Sequence, residues 1–212
     1  MKITIIYDNT AYRNDLTADW GFSCLVEAHG KSILFDTGAN GFILLENMKK
    51  LDIDPSSIDE VFISHSHFDH IGGLSTFLMK NVFVDVYVPG AFTEFHNISR
   101  MIHVDQPLEI HEHFYSTGEL GGIEQSMVVE TEKGLVIIAG CSHPHMGDIL
   151  STASRFGKLY GIVGGFHGFN EYELFKDLEL ICPTHCTQHK AEIKNRFPDK
   201  YIKGGAGKII EV

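Results

Sequence analysis

A strand-like run that ends in a cluster of histidines places the strongest constraint on how this chain can fold. Residues 61–64 are largely apolar, and His65, His67, Asp69 and His70 follow within six positions. Two histidines at i and i+2 point the same way on an extended chain, so both imidazoles can hold one ion. Asp69 and His70 are predicted to lie in the following turn, where they can face a second ion. The pattern therefore predicts a site for two metal ions.

The donor chemistry of this cluster narrows the choice of metal. Neutral imidazole and carboxylate groups suit zinc, with manganese, iron or magnesium as alternatives. A single histidine on an apolar face is usually a structural residue of the core. Four ligand-type side chains in the pattern His-x-His-x-Asp-His are not explained in that way, so we expect two divalent ions, with zinc favoured.

Length and charge limit the classes of function. The 212 residues suit one domain spanning 1–212, and 43% hydrophobic and 21% charged residues are typical of a globular protein. The formal net charge of −11 argues against non-specific binding to nucleic acid or to an anionic membrane. We therefore expect a small-molecule substrate, and the sequence leaves the oligomeric state open.

The first residues and the cysteines indicate the compartment. Residues 1–7 read as a strand that is followed by Asp8, without the features of a signal peptide, and no apolar run approaches the length of a membrane span. The cysteines at 24, 141, 182 and 186 form no Cys-x-x-Cys pair. We expect a cytoplasmic protein in which these residues are thiols or ligands rather than disulfides.

Periodicity and turn signals predict two β-rich runs, each followed by helices. Strands are expected at 3–7, 22–28, 32–35, 82–88, 126–130, 135–139, 159–163, 180–182 and 208–212. Helices are expected at 42–51, with Asn40 as N-cap, and at 71–79, 149–156, 171–178 and 188–197. This order predicts an α/β (α+β) fold of two packed sheets with helices outside. His96, His103, His111 and His113 are scattered among polar and aromatic residues and are expected to be exposed or structural.

Further motifs extend the pattern along the chain. Phe-Asp-Thr-Gly stands at 35–38, Gly-Cys-Ser-His at 140–143 and Pro-Thr-His-Cys-Thr at 183–187. Together with the central histidine motif, they make the chain resemble the metallo-β-lactamase superfamily over nearly its whole length. The resemblance implies a four-layer αββα sandwich. It also implies that Asp36 supports the metal loop without binding metal.

The same resemblance implies how the ligands divide. One ion would take His65, His67 and a later histidine, for which we choose His143. The second ion would take Asp69, His70 and His185, so that all six ligands follow strands and meet at one edge of the sandwich.

This chain departs from the most familiar members of the superfamily before and after its second hairpin. Those members usually have a histidine before that hairpin, where this chain has Glu119 and Glu124, and a bridging aspartate where Cys141 stands. Cys141, His143 or a glutamate could thus occupy the bridging or first-ion position. A buried, inert Cys141 is an equal alternative.

At these positions the chain resembles one branch of the superfamily, the group named after the dihydropterin–ribofuranosylaminobenzene phosphate synthases. The motifs Gly-Cys-Ser-His-Pro, Gly-Gly-Phe-His and Pro-Thr-His-Cys-Thr carry this likeness. Most members of that group are known only as metal-dependent hydrolases. This chain has His145 and Gln188 where the group tends to have glycine, so the substrate does not transfer directly.

Three functions follow as hypotheses. The first is a metal-dependent hydrolase in which metal-bound water attacks an ester, amide, thioester or phosphoester, with Asp69 and His167 as catalytic residues. The second is a transferase or synthase acting on a pterin phosphate with displacement of diphosphate, in which Phe68, Phe166 or Phe169 could stack on the heterocycle. The third is a non-catalytic binding protein that keeps the fold.

Overall fold

Two β-sheets packed face to face form the centre of the protein. The computed structural model describes residues 1–93 and 100–212, so His96 lies outside the described residues. One sheet has the order β13-β1-β2-β3-β4-β5-β6 and the other the order β12-β11-β10-β9-β8-β7. The strands are β1 (Lys2–Tyr7), β2 (Ser23–Ala28), β3 (Lys31–Phe35), β4 (Glu60–Phe62), β5 (Asp85–Pro89), β6 (Arg100–Val104), β7 (Leu108–His111), β8 (Phe114–Ser116), β9 (Met127–Thr131), β10 (Gly134–Ala139), β11 (Leu159–Gly165), β12 (Leu180–Thr184) and β13 (Ile209–Glu211).

Short helices cover the outer faces of both sheets. They are α1 (Gly41–Lys50), α2 (Phe68–Ile71), α3 (Leu74–Leu78), α4 (Met146–Ala153) and α5 (Lys190–Arg196), with 3₁₀ turns at Pro55–Ser57 and Tyr172–Phe175. The Asn40 side chain accepts from the backbone N–H of Phe42 at 2.9 Å, as its predicted role as N-cap of α1 requires.

Three apolar clusters define the four layers. One cluster fills the space between the sheets and includes Phe35, Phe62 and Met127. The second packs the outer face of the first sheet against α1 and α3, and the third packs the second sheet against α4 and α5. Because each sheet buries both faces, its central strands read as continuous apolar runs. The predicted αββα sandwich is confirmed.

Parallel strands direct the functional loops to one edge. Strands β3 to β6 are mutually parallel in the first sheet, as are β10 to β12 in the second. The carboxyl ends of parallel strands meet at the same edge of a sheet. This edge is called the metal edge below.

Three predicted elements differ from the observed ones. The helix predicted at 71–79 is divided into α2 and α3, because the N–H of Gly73 and the carbonyl of His70 bond to the backbone of residues 38 and 37 instead of within a helix. Glycine at 72 and 73 permits this approach, since a Cβ atom at either position would lie 2.2 Å from a carbonyl oxygen of Ala39 or Thr37. As a result, Asp69 and His70 lie in α2 and not in a turn. The predicted helix at 171–178 is only the 3₁₀ turn.

The strand predicted at 82–88 begins later than expected. It starts at Asp85, since Val82 and Phe83 are exposed at 51% and 87% and make no sheet pairing. In the described residues, no helix combines the length and apolar character that a bilayer span requires.

Candidate metal centre

The six predicted ligands come from loops that follow three strands. His65, His67, Asp69 and His70 follow β4, while His143 follows β10 and His185 follows β12. Their donor atoms form two groups of three, and within each group all donors lie within 4.8 Å of one another. The structure thus brings together all six residues that the sequence singled out.

The first triad consists of His65, His67 and His143. Nδ1 of His67 lies 3.1 Å from Nε2 of His65 and 3.1 Å from Nε2 of His143. A neutral imidazole carries only one N–H, so three ring nitrogens this close cannot all be matched as donor and acceptor. Their convergence on one point suits a shared cation.

The second triad consists of Asp69, His70 and His185. Nε2 of His185 lies 3.1 Å from Oδ2 of Asp69, and Nε2 of His70 lies 3.9 Å from the same oxygen. Although His185 Nε2 is buried, it has no hydrogen-bond partner, because its short contact with Asp69 lacks hydrogen-bond geometry. A buried polar atom without a partner is costly unless an ion satisfies it.

The outer ring nitrogens fix the orientation of these ligands. Nδ1 of His70 lies 2.7 Å from Oδ2 of Asp36, and Nδ1 of His185 lies 2.9 Å from Oδ1 of Asn9. Both oxygens are acceptors, since Oδ1 of Asn9 also accepts the backbone N–H of Gly21. Each Nδ1 is therefore the donor, and each Nε2 presents a lone pair to the site.

Asp36 connects both triads from behind. Its carboxylate accepts the backbone N–H and the hydroxyl of Ser64, each at 2.7 Å, in addition to the imidazole of His70. The hydroxyl of Ser64 lies 2.9 Å from Nδ1 of His65. Asp36 is fully buried and adopts a left-handed backbone with φ of +53°, a conformation that costs energy for a non-glycine residue.

Glu124 braces the loop that carries His143. Its Oε1 accepts the backbone N–H groups of residues 140, 141 and 142 at 2.9–3.1 Å, and its Oε2 accepts that of His143 at 2.9 Å. Both carboxylate oxygens are thus occupied by the backbone. Glu124 belongs to neither triad, and the side chain of Glu119 instead accepts the backbone N–H of Ala91.

Cys141 lies between the two triads. Its Sγ is 3.2 Å from Nε2 of His70, and it shares a group of close donor atoms with His65 and His70. It also lies within 4.8 Å of donor atoms in His143 and His167. The thiol is therefore close to donor atoms of both triads.

His167 borders the metal centre from an exposed loop. Its ring centroid lies 5.0 Å from that of His143, and its backbone has φ of +43°. Beside it lies a cavity of about 210 Å³, lined by Ser142, Pro144, His145, Met146, Phe166, His167, Gly168, Phe169, Asn170 and Glu171. His145 and Glu171 pair across this cavity at 2.8 Å.

The two triads have different electrostatic environments. Burial and the adjacent imidazoles lower the pKa of His143 to about 4, and the pKa of His65 falls for the same reasons. Burial opposes charge on His70 as well, but Asp36, Asp69 and Glu124 outweigh it and raise its pKa. Burial would raise the pKa of Asp69, yet the contact with His185 and the charge of His70 hold it well below its usual range. The first triad thus offers neutral imidazoles in His65 and His143, and the second offers the charged carboxylate of Asp69, both of which are donors that divalent zinc accepts.

Three residues near the ligands were not identified from the sequence. Asp8 accepts the backbone N–H of His185 at 2.6 Å, Asn9 orients the imidazole of His185, and the indole N–H of Trp20 donates to Oδ2 of Asp69 at 2.8 Å. Asp8 and Asn9 directly follow β1, so the same strand-end argument that located the ligands could have located them.

Comparison with known proteins gives the family. The 7,8-dihydropterin-6-methyl-4-(beta-D-ribofuranosyl)-aminobenzene-5'-phosphate synthase of Methanocaldococcus jannaschii is 28% identical, over 98% of this chain and 95% of that protein. The crystal structure of Tm1679, described as a metal-dependent hydrolase of the β-lactamase superfamily, superposes with a TM-score of 0.82 at 26% identity, covering 100% of this chain and 99% of that one. A diphosphatase from the PhnP family shares the fold with a TM-score of 0.67 at 13% identity, over 100% and 97% of the two chains. The family model of the metallo-beta-lactamase superfamily matches residues 21–146, more than half of the chain, and the protein belongs to this superfamily.

Proposed function

We propose that the protein is a metal-dependent hydrolase with two divalent ions, zinc preferred, at the metal edge. The observation that carries this proposal is the convergence of two donor triads, His65, His67 and His143 in one and Asp69, His70 and His185 in the other. The unpartnered Nε2 of His185 and the outward hydrogen bonds of the ligand imidazoles support the fit.

When bound, such ions lower the pKa of a coordinated water to about 7 and stabilise negative charge that develops on the substrate. Asp69 would hold the second ion and orient the attacking water through its free carboxylate oxygen. Cys141 would supply a sulfur donor between the ion positions, a role that favours zinc over manganese or magnesium.

His167 would bind the substrate or protonate its leaving group. It is exposed and within 4.8 Å of a donor atom of His143, and it also lines the adjacent cavity. The substrate would therefore occupy this cavity, with its reactive carbonyl or phosphoryl group directed toward the triads. An ester, amide, thioester or phosphoester fits this chemistry.

A transferase or synthase acting on a pterin phosphate is the second candidate. It is favoured by the 28% identity to the dihydropterin synthase over 98% of the chain. In that reaction the ions would hold a diphosphate leaving group, and Phe169, which lines the cavity, could contact the heterocycle. His145 and Glu171 narrow the same cavity by their pairing, which weighs against this chain having the same substrate as that synthase.

A non-catalytic binding protein is disfavoured, because a binding role gives no reason for two complete donor triads.

The test combines metal analysis with a substrate screen. Purified protein is expected to hold two equivalents of zinc and to hydrolyse at least one member of a panel of phosphodiesters, thioesters, lactams and lactones. Incubation with dihydropterin diphosphate and an aminobenzene acceptor tests the second candidate through release of diphosphate. Protein that binds neither zinc nor manganese would overturn both candidates.

A further inference from the structure

The single tryptophan of the chain contacts two of the three residues of the second triad. The indole N–H of Trp20 donates to Oδ2 of Asp69 at 2.8 Å, and its ring meets the imidazole of His185 edge-on, with centroids 5.2 Å apart. Despite these contacts, 59% of the residue is exposed. The position of the ring is therefore set by its contacts with the two triad residues and not by burial in the core.

The backbone around Trp20 fixes its position. The next residue, Gly21, donates its N–H to Oδ1 of Asn9 at 3.1 Å, and the same oxygen accepts Nδ1–H of His185. Gly21 has φ of +142°, and a Cβ atom there would lie 2.5 Å from the backbone oxygen of Asp69. The glycine therefore allows the segment that carries Trp20 to approach the metal loop closely.

Asp69 is the carboxylate among the six candidate ligands. Its Oδ2 is the atom that faces both His70 and His185, and the carboxylate is only partly shielded from solvent. An N–H donor on a ligating carboxylate restricts its rotation and keeps its lone pairs directed at the ion. The ring of Trp20, edge-on to His185, would also shield an ion held by this triad from water, and a lower local dielectric would strengthen its electrostatic interactions.

We infer that Trp20 is a positioning residue that holds Asp69 and covers the second ion, and that its fluorescence reports occupancy of that position. This inference rests on the proposed metal centre, but it does not depend on the identity of the substrate. It is distinct from ligation, because an indole N–H donates hydrogen bonds only and cannot bind the ion itself.

The first experiment replaces Trp20 by phenylalanine, which keeps an aromatic ring and removes the donor. Zinc affinity is measured by competition with a chelating dye. The variant is expected to bind one zinc with unchanged affinity and the second roughly 10–100-fold more weakly, the usual effect of losing an outer hydrogen bond to a ligand. Phe42→Leu is the matched control, since Phe42 is an aromatic residue of α1 with 79% exposure. Trp20→Phe should unfold at the temperature of the wild type, because the ring is largely outside the core.

The second experiment uses the single tryptophan as a spectroscopic probe. Zinc titration of the wild type should change the emission in proportion to occupancy of the second ion. The change should persist in His143→Ala, which loses a ligand of the first triad, and should be lost in His185→Ala, which loses a ligand of the second.

The outcomes separate this inference from the proposed function. Two tightly bound zinc ions in both the wild type and Trp20→Phe would overturn the role of Trp20 alone. An emission change lost in His143→Ala and kept in His185→Ala would overturn it as well. A wild type that binds no zinc or manganese would overturn the metal centre and the role of Trp20 together.

Discussion

Two groups of histidines lie at opposite edges of the sandwich and differ in how their inner ring nitrogens are partnered. At the metal edge, Nδ1 of His70 and of His185 bond to oxygen atoms behind the site, but the nitrogens that face the site lie against one another or, for Nε2 of His185, have no hydrogen-bond partner. At the other edge, which carries the β2–β3 turn and the first residues of β4 and β10, a distal group consists of His29, His111 and His113. Each distal imidazole has an oxygen partner. His29 lies 2.8 Å from the backbone oxygen of Glu130, His111 lies 2.7 Å from Oε1 of Glu60, and His113 lies 3.0 Å from Oε2 of Glu130.

The pKa shifts of the two groups reflect this difference. At the metal edge, burial and neighbouring imidazoles lower the pKa of His143 to about 4. At the distal edge, the hydrogen bond that His113 donates to the carboxylate of Glu130 raises the pKa of His113. Burial and the adjacent imidazoles thus keep His65 and His143 neutral, whereas His113 gains a proton and an ion pair. His70 is the exception at the metal edge, because Asp36, Asp69 and Glu124 outweigh its burial and raise its pKa. The partner of the imidazole, and not its abundance in the sequence, therefore distinguishes a ligand from a structural histidine.

The largest effect is expected at the carboxylate of the second triad. Asp69→Ala removes a ligand and the group that orients water, so turnover should fall by about a thousandfold, equivalent to roughly 4 kcal/mol. Zinc content should drop from two equivalents to one, measured by elemental analysis, while the cooperative thermal transition is retained. Glu130→Ala removes the carboxylate of the distal group and is the matched control, with full activity expected. Near-normal turnover in Asp69→Ala, or loss of its unfolding transition, would contradict this role.

His167 tests whether every histidine at the metal edge is a ligand. Because its imidazole borders His143 but lies outside the two triads, His167→Ala should keep two zinc ions and lose about a hundredfold in rate, the scale for one acid or base. The rate is measured on the substrate found in the screen, at saturating zinc. His29→Ala, at the distal edge, should retain the wild-type rate. A zinc content of one equivalent in His167→Ala would make His167 a ligand.

Glu124 tests how much the stability of the protein and the affinity for the first ion depend on a buried carboxylate that holds the His143 loop. Glu124→Gln keeps the side-chain shape, but its amide NH₂ would face a backbone N–H that the carboxylate now accepts. One buried donor is then left unsatisfied, so the free energy of unfolding should fall by about 1–3 kcal/mol. The first ion should bind roughly tenfold more weakly, since His143 is no longer held in place. Urea unfolding of the zinc-free protein measures the first effect, and Glu119→Gln, which makes the same change at a glutamate that accepts the backbone N–H of Ala91, is the matched control.

The sequence identifies the residues that converge at the metal edge better than it identifies the residues that hold them in place. His65, His67, Asp69 and His70 stand close together in the chain, and His143 and His185 can be added to them because each directly follows a predicted strand. Trp20 donates to Asp69 across 49 residues, and Glu124 accepts backbone N–H groups 16–19 residues away, and no local pattern marks such pairs.

The fold shows the same division between local and distant signals. The layers and most strands follow from local apolar runs and turn residues, and these predictions hold. The division between α2 and α3 arises from the close approach of residues 37–39 to Gly72 and Gly73. This is a tertiary contact, which cannot be predicted from helical periodicity.

The smallest effect is expected in the distal group, through the ion pair of His113 and Glu130. The hydrogen bond with Glu130 raises the pKa of His113, so its stabilisation is complete below the unfolded value of about 6.5 and is lost as pH rises through the folded value. The hydrogen bond with His113 lowers the pKa of Glu130, so the contribution of Glu130 to stability is present above about pH 4.3 and is lost as pH falls through its folded pKa.

His113→Gln should therefore lower Tm slightly at pH 5.5 and leave it unchanged at pH 8, when both proteins are compared by calorimetry without metal. High salt should reduce the difference at pH 5.5, because the pair is exposed to solvent. A Tm difference that is larger at pH 8 than at pH 5.5 would show that His113 acts as a neutral packing residue, and the contrast between the two histidine groups would then rest on the metal edge alone.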